Sequence, residues 1–503
     1  MPWPLTWVAA RLDGRYPNGR PTMINSPAPA STQPPTEYDI GYLTVISFVA
    51  AMGGLLFGYD WVVIGGAKPF FIRYFGLTNN PDLVGWAMSS ALVGCMFGAV
   101  MSGLFSDKFG RKRLLVLSAV LFTVSGVGTA LATSFSFFVW MRLLGGLGIG
   151  LASNLSPMYI SEVSPAERRG AFVSLNQLTI NIGLVLAQGI NWAIAYNMPK
   201  DFTSDQILNS WYGQVGWRWM FGAGAVPAFL FLVLMFFLPE SPRWLLKAGR
   251  EKEAHDVLTR IGGSAYATRE VDDVKRTLSK EEIAHVRFRD LLEPKLMLVI
   301  FIGMVLATLQ QWCGLNVIFY YAEDVFKAAG YTVSGTMLNI VYTGITALVF
   351  TVVSILIVDK VGRRPLMLLG AGGIALMHAL LGAGFYFGYK GVPMLAIMLV
   401  TMAIYEVTLA PVMWVLLSEL FPNRIRGAAL SVSVLTLWVT CWACAQFYPR
   451  INHALGDAGS FWLFGVICLA GFVFMWKLLP ETKGQTLEEI ERKLIGTDGN
   501  GKK

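Results

Sequence analysis

Apolar residues fall in blocks of about twenty along nearly the whole chain, and within a block they show neither strand alternation nor the single stripe of a surface helix. As a helix, a block of that length crosses a hydrocarbon layer of about 30 Å. The pattern predicts spans near 42–66, 83–105, 113–133, 136–160, 170–195, 216–238, 296–325, 334–358, 366–388, 392–418, 427–448 and 459–479. An all-α membrane protein of twelve transmembrane helices follows.

Three stretches break the pattern. Residues 1–41 are rich in Pro, Ser and Thr and lack an apolar signal core, which predicts a disordered tail, with Met23 a second candidate start. Residues 240–295 join two six-span halves, 42–239 and 296–480. There Ala254, Val257, Leu258 and Ile261, then Val271, Val274 and Leu278, recur at helical spacing amid charges, so short amphipathic helices are expected, either a solvated connector or a clamp on the gate. Residues 481–503 form a short tail.

Composition agrees with a bilayer as solvent: 54% of residues are hydrophobic and 14% charged, against roughly 45–50% and 25% in soluble proteins. Basic residues crowd alternate loops: Lys108, Arg111, Lys112 and Arg113; Arg168 and Arg169; Lys360, Arg363 and Arg364. The opposite loops hold isolated cations such as Lys200, Lys327 and Lys390. By the positive-inside rule both termini and the linker are cytoplasmic, in a cell membrane. This bias accounts for the formal charge of +8 without a nucleic-acid patch. The five cysteines fall within spans at no metal-ligand spacing, so neither disulfide, metal nor cofactor is expected.

The halves repeat one another. Asp107-Lys-Phe-Gly110-Arg111 recurs 252 positions on as Asp359-Lys-Val-Gly362-Arg363. Ser161-Glu162-Val-Ser-Pro165 and Arg169-Gly170 recur at an offset of 257 as Ser418-Glu419-Leu-Phe-Pro422 and Arg426-Gly427, and Pro239-Glu240 recurs as Pro480-Glu481. An even number of spans per copy makes the halves parallel, with the path between them.

Polar residues inside spans are the candidate chemistry. The seventh span carries Gln310, Gln311, Asn316, Tyr320 and Tyr321 around Gly314, a glycine that permits local unwinding. Amides donate and accept, as a ring of hydroxyls requires, or they fasten helix to helix. Asp60 and Arg142 are charges within spans, and pairing would offset part of a cost of roughly 2.5–3.5 kcal/mol each. The pair is either structural or a proton site. Glu406 is a further intramembrane acid, and His378 is read as a packing or lipid-interface residue.

These residues together resemble the sugar porters of the major facilitator superfamily, which include bacterial proton:sugar symporters of xylose and glucose type and animal glucose facilitators. The resemblance covers roughly residues 42–490 and rests on Asp107-Lys-Phe-Gly-Arg-Lys-Arg113, Met141-Arg142-Leu-Leu-Gly-Gly146, Pro239-Glu-Ser-Pro-Arg-Trp-Leu245, Gln310-Gln311 with Gly314 and Asn316, and Pro480-Glu-Thr-Lys-Gly484. It implies the major facilitator fold and import of a monosaccharide or related polyol by alternating access. It marks Gln177, Phe57, Trp414 and Trp438 as sugar contacts beside the amides and Tyr320. It also implies proton symport through Asp60 and Arg142, where facilitators tend to carry Asn in place of the acid. A cytoplasmic charge network is implied as well, of Asp107, Arg111, Glu162, Arg168, Arg169, Glu240 and Arg243 with Asp359, Arg363, Glu406, Glu419, Arg426 and Glu481, whose pairs across the seam would close the inner side. Three positions depart from the family pattern. Ala347 stands where Asn is common, Leu409 before Ala410-Pro411 where some members have an aromatic residue, and Leu437 beside Trp438 where Gln or Asn is common.

An enzyme is a poor fit, with no nucleotide loop or nucleophile constellation. A facilitator, a sugar sensor and a multidrug exporter compete, the last expected to have a more apolar cavity. The expected partners are a sugar, a proton and the bilayer, and Gly146-x-x-x-Gly150 reads as helix packing inside a monomer.

Overall fold

The computed structural model describes residues 38–165, 168–199, 202, 204–281, 294–421 and 426–483. Most of the expected N-terminal tail, the end of the linker, the tail after Lys483 and the side chains of Asp359 and Arg426 lie outside them.

Eleven helices among the described residues are long and apolar enough to cross a membrane. The last, Arg426–Leu478, is two helices joined at Gly456, whose φ of 69° breaks the run, so the chain makes twelve crossings. The N-terminal half holds Ile40–Tyr74, Pro81–Phe109, Arg111–Ala130, Phe135–Val163, Arg169–Ala195 and Tyr212–Phe237. In the C-terminal half the seventh span is split into Pro294–Trp312 and Leu315–Tyr320 and the tenth into Val392–Val407 and Leu409–Leu420, flanking Val333–Val361 and Arg363–Tyr386.

Local chemistry sets several boundaries. Asn80 accepts from the amides of Asp82 and Leu83 while Pro81 opens the second span, and Ser134 accepts from Phe137 N at the start of the fourth. The first span outruns its expected end near 66 and continues to Tyr74. Pro69 stands inside it, and the Arg73 guanidinium donates to Pro69 O. Pro69 removes the intrahelical donor to Gly65 O, yet the helix runs on past it to Tyr74.

Small residues bring helices close. A Cβ on Gly146 would stand 1.8 Å from Ala91 O, and one on Gly150 2.3 Å from Cys95 O, so the glycine pair packs the fourth span on the second within this bundle. Outward positions such as Phe97, Leu104, Trp140 and Phe237 are exposed and apolar, as a lipid-facing surface requires.

The linker forms Pro242–Lys247 and Glu251–Glu281, the latter bent at Gly262 and Gly263. Ala254, Leu258, Ile261 and Val271 are buried beneath it. Asp39 N donates to Ile261 O at 2.8 Å, and Tyr38 meets Tyr266 edge-on, which docks the linker on the start of the first span. This end of the bundle is called the linker face below, and the opposite end the far face.

Candidate functional site

The seventh span breaks at Gly314, which takes the left-handed conformation at φ 86°. A break frees backbone carbonyls inside the membrane, and each must find a donor. Asn316 Nδ2 donates to Gln311 O at 3.1 Å, Cys313 Sγ to Gln310 O at 3.1 Å, and His378 Nε2 lies 2.7 Å from Cys313 O. His378 is fully buried against Phe461 and Phe464, packed as expected rather than at the lipid interface, and it also serves the break.

The same break gathers the amides into a chain. Asn316 Nδ2 donates to Gln311 Oε1 at 2.7 Å, Gln311 Nε2 to Gln310 Oε1 at 3.1 Å, and Gln310 Nε2 to Ala410 O at 3.1 Å. Gln310 thereby reaches the start of Leu409–Leu420, just past the break in the tenth span. A chain of this kind orients each amide through its neighbour and leaves remaining donors and acceptors for a hydroxylated ligand.

Aromatic rings gather where the second piece of the seventh span meets the first and eleventh spans. Phe57 lies 5.4 Å from Trp61 and 6.0 Å from Trp438, Trp61 is 6.0 Å from Trp438, and Tyr320 is 5.1 Å from Trp61. Three of the four were expected from the sequence, and Trp61 was missed; its position four residues after Phe57 on one helix is the signal that could have found it. Trp414 stands outside this cluster, 42% exposed. Gln177 is half-buried on the fifth span, where its carbonyl accepts from Asn181 Nδ2. Ala347, Leu409 and Leu437 are buried apolar residues.

Glu406 does not join the charges at the linker face. It is buried, at the end of Val392–Val407, and Thr351 Oγ1 donates to its Oε2 at 3.0 Å. Asn181 Nδ2 in turn donates to Thr351 Oγ1 at 2.9 Å. A polar chain therefore crosses from the fifth span to the eighth and tenth, between the halves.

Asp60 and Arg142 meet at 2.5 Å between the first and fourth spans. The Arg142 side chain is 2% exposed and its guanidinium lies 5.4 Å from the Phe221 ring. Asp60 Oδ2 is buried without a protein partner. It borders a cavity of about 20 Å³ lined by Leu56, Tyr59, Ser125, Thr129 and Phe221, the size of one water molecule.

At the linker face the repeated motifs build the same device twice. Gly110 (φ 91°) and Gly362 (φ 110°) turn the chain into the third and ninth spans. Glu240 Oε1 accepts from the amides of Arg111 and Lys112 at 3.0 and 2.9 Å, and Glu481 accepts from those of Arg363 and Arg364 at 3.0 and 3.3 Å. Each carboxylate thus satisfies the open N–H groups of a helix start. Arg111 pairs with Glu162 at 2.9 Å and Asp107 at 3.0 Å, and Arg363 with Glu419 at 3.1 Å. The hydroxyls of Ser241 and Thr482 donate to Glu162 and Glu419. Rather than spanning the seam, the Arg111 pairs with Glu162 and Asp107 lie within the first half, and the Arg363–Glu419 pair lies within the second. Arg169 and Arg243 instead line, with Glu162 and the linker's Glu270, a cavity of about 100 Å³.

The halves touch through the second and eleventh spans, where Ser89 Oγ donates to Gln446 Oε1 at 2.8 Å and Arg450 pairs with Asp82 near the far face. A sequence model described as "Sugar (and other) transporter" matches residues 46–494. The chain is 38% identical over 489 residues to the D-xylose-proton symporter of Escherichia coli K12, covering 91% of this chain and 96% of that one. To the arabinose-proton symporter of Bacillus subtilis 168 it is 36% identical over 473 residues, covering 93% and 99%. A solved structure of the xylose transporter XylE from E. coli, in an inward open conformation, superposes with a TM-score of 0.79 at 38% identity over 90% of this chain and 100% of that one. Split seventh span, paired intramembrane charges and full-length relatives agree: this chain belongs to the sugar (and other) transporter family.

Proposed function

We propose that this protein imports a monosaccharide in its pyranose form by proton symport, as a monomer in the cell membrane with the linker face and both termini cytoplasmic. The observation that carries the reading is the broken seventh span: its second piece, Leu315–Tyr320, carries Asn316 of the amide chain and, one turn on, Tyr320 of the ring cluster with Trp61 and Trp438. Amides match the hydroxyl edge of a sugar and rings its apolar face. Relatives named as proton symporters of D-xylose and arabinose support this substrate class. With Ala347, Leu409 and Leu437 apolar, the seventh-span amides bear the larger share of recognition.

Asp60 is the proposed proton carrier. Parting it from Arg142 leaves a carboxylate in apolar surroundings, where it takes up a proton, and re-forming the pair expels that proton. The close, buried geometry of the pair also suits a permanent structural link, which would make the protein a facilitator. Uptake of a panel of radiolabelled pentoses, hexoses and polyols into proteoliposomes, with and without an inward proton gradient, tests the proposal. Gradient-driven accumulation of one monosaccharide is expected, and no uptake of any of them would refute it.

A further inference from the structure

The far face is held by a second set of charges that the transport reading does not use. Lys68 lies on the first span about 40 Å from its docked start, at 1.5 Å per residue from Asp39. Its side chain is 6% exposed. Its Nζ donates to Asp324 Oδ1 and Oδ2 at 2.6 and 2.7 Å and to Glu323 Oε2 at 3.3 Å. Both acids stand on Ala322–Ala328, the short helix that continues the seventh span, so the contact joins the two halves. Arg73, one turn beyond Lys68, lies 3.7 Å from Glu323 Oε1. Two cations therefore meet two acids, and the set is neutral.

The surroundings make the cluster a closure rather than a surface pair. One turn towards the cavity, a Cβ on Gly65 would stand 2.2 Å from Phe319 O, so the first and seventh spans touch backbone to backbone. The Lys68 ammonium sits 5.7 Å from the Tyr321 ring, whose hydroxyl donates to Ala445 O at 2.5 Å and ties in the eleventh span. Two turns below Lys68, Trp61 forms part of the aromatic cluster. By contrast the other far-face pair, Arg450 with Asp82, is more than half exposed and contributes little once hydrated.

We propose that Lys68, Glu323 and Asp324 form an ionic latch that holds the far face shut, and that breaking it is the step that admits substrate from that side. When the latch opens, all four groups gain water, so opening is opposed only while the buried Lys68 and Glu323 and the part-exposed Asp324, 37% exposed, keep their partners. Removing one partner leaves an uncompensated charge in the closed form, and the balance swings towards the open, hydrated form. The latch rests on the family's alternating access and not on which sugar or proton route is used.

The test places a cysteine at Trp61 in the full-length protein and follows its alkylation by a membrane-impermeant reagent applied from the far face. The five native thiols are buried; the protein without the new cysteine gives their background, and the parent for comparison is the protein that carries it with the latch intact. Lys68→Met and Asp324→Asn should each raise the labelling rate about tenfold, the response to a tenfold shift in the open population. The swapped pair, Lys68→Asp with Asp324→Lys, should return it to within about twofold of the parent. Glu323→Gln, a smaller change, guards against a variant that fails to fold and should also speed labelling. Parent-like rates in all the single variants would overturn the latch, as would a swapped pair that labels as fast as the singles.

Discussion

Truncating Gln311 separates recognition from scaffolding. In the free protein Gln311→Ala removes two side-chain hydrogen bonds, from Asn316 Nδ2 at 2.7 Å and to Gln310 Oε1 at 3.1 Å. Asn316 keeps the Gln311 carbonyl and Gln310 keeps that of Ala410, so the break in the seventh span stays capped. Two net hydrogen bonds contribute about 1–3 kcal/mol to stability, and a direct bond to a sugar hydroxyl about 0.5–1.5 kcal/mol to binding, more where a partner is left unsatisfied. At 1.4 kcal/mol per decade, sugar affinity should fall about two- to tenfold. Equilibrium binding of the transported sugar, read beside thermal unfolding in detergent, resolves the two effects. Lower stability with unchanged affinity would refute the binding role and leave the amides as helix fasteners.

Gly362→Ala should cost about 1–3 kcal/mol for a backbone at φ 110° and ψ 158° that essentially only glycine adopts, and its Cβ would press within 2.9 Å of Glu481 Oε2. Thermal unfolding should fall accordingly, whereas Gly103→Ala, inside a helix with open space around it, should leave stability unchanged or raise it slightly; equal behaviour of the two would contradict the helix-start account. Trp438→Ala should weaken sugar binding more than Trp438→Phe, because the phenyl ring retains a stacking face within the cluster. Matching affinities in a binding titration would remove Trp438 from the site.

Most of the fold was legible because the bilayer allows few solutions: twenty apolar residues in a row can only be a helix that crosses. The repeat was legible because Gly110 and Gly362 are each required by backbone geometry and a carboxylate docks on each, so the sequence must keep both copies. The meeting of Asp60 with Arg142 was foreseeable because neither charge could sit in a span alone. What escaped depends on neighbours distant in sequence. The first span reads as ending near 66 although the helix continues to Tyr74, and His378 reads as a packing or lipid-interface residue until the break at Cys313 and Gly314 is seen against it. Glu406 looks like one more gate charge, yet its partner is Thr351, 55 residues away and uncharged. Lys68 passes as a boundary residue because its acids lie 255 and 256 positions further on.

Proton uptake measured alongside sugar entry into proteoliposomes tests the coupling claim most directly. Wild-type protein should take up protons with the sugar and accumulate it against a gradient when the outside is acidic. Asp60→Asn, which mimics the protonated acid and has nothing to release, should keep sugar binding and exchange but lose both proton flux and accumulation. Sugar entry without proton movement in the wild type, with the Asn variant behaving identically, would contradict the account and make the buried pair a structural link in a facilitator.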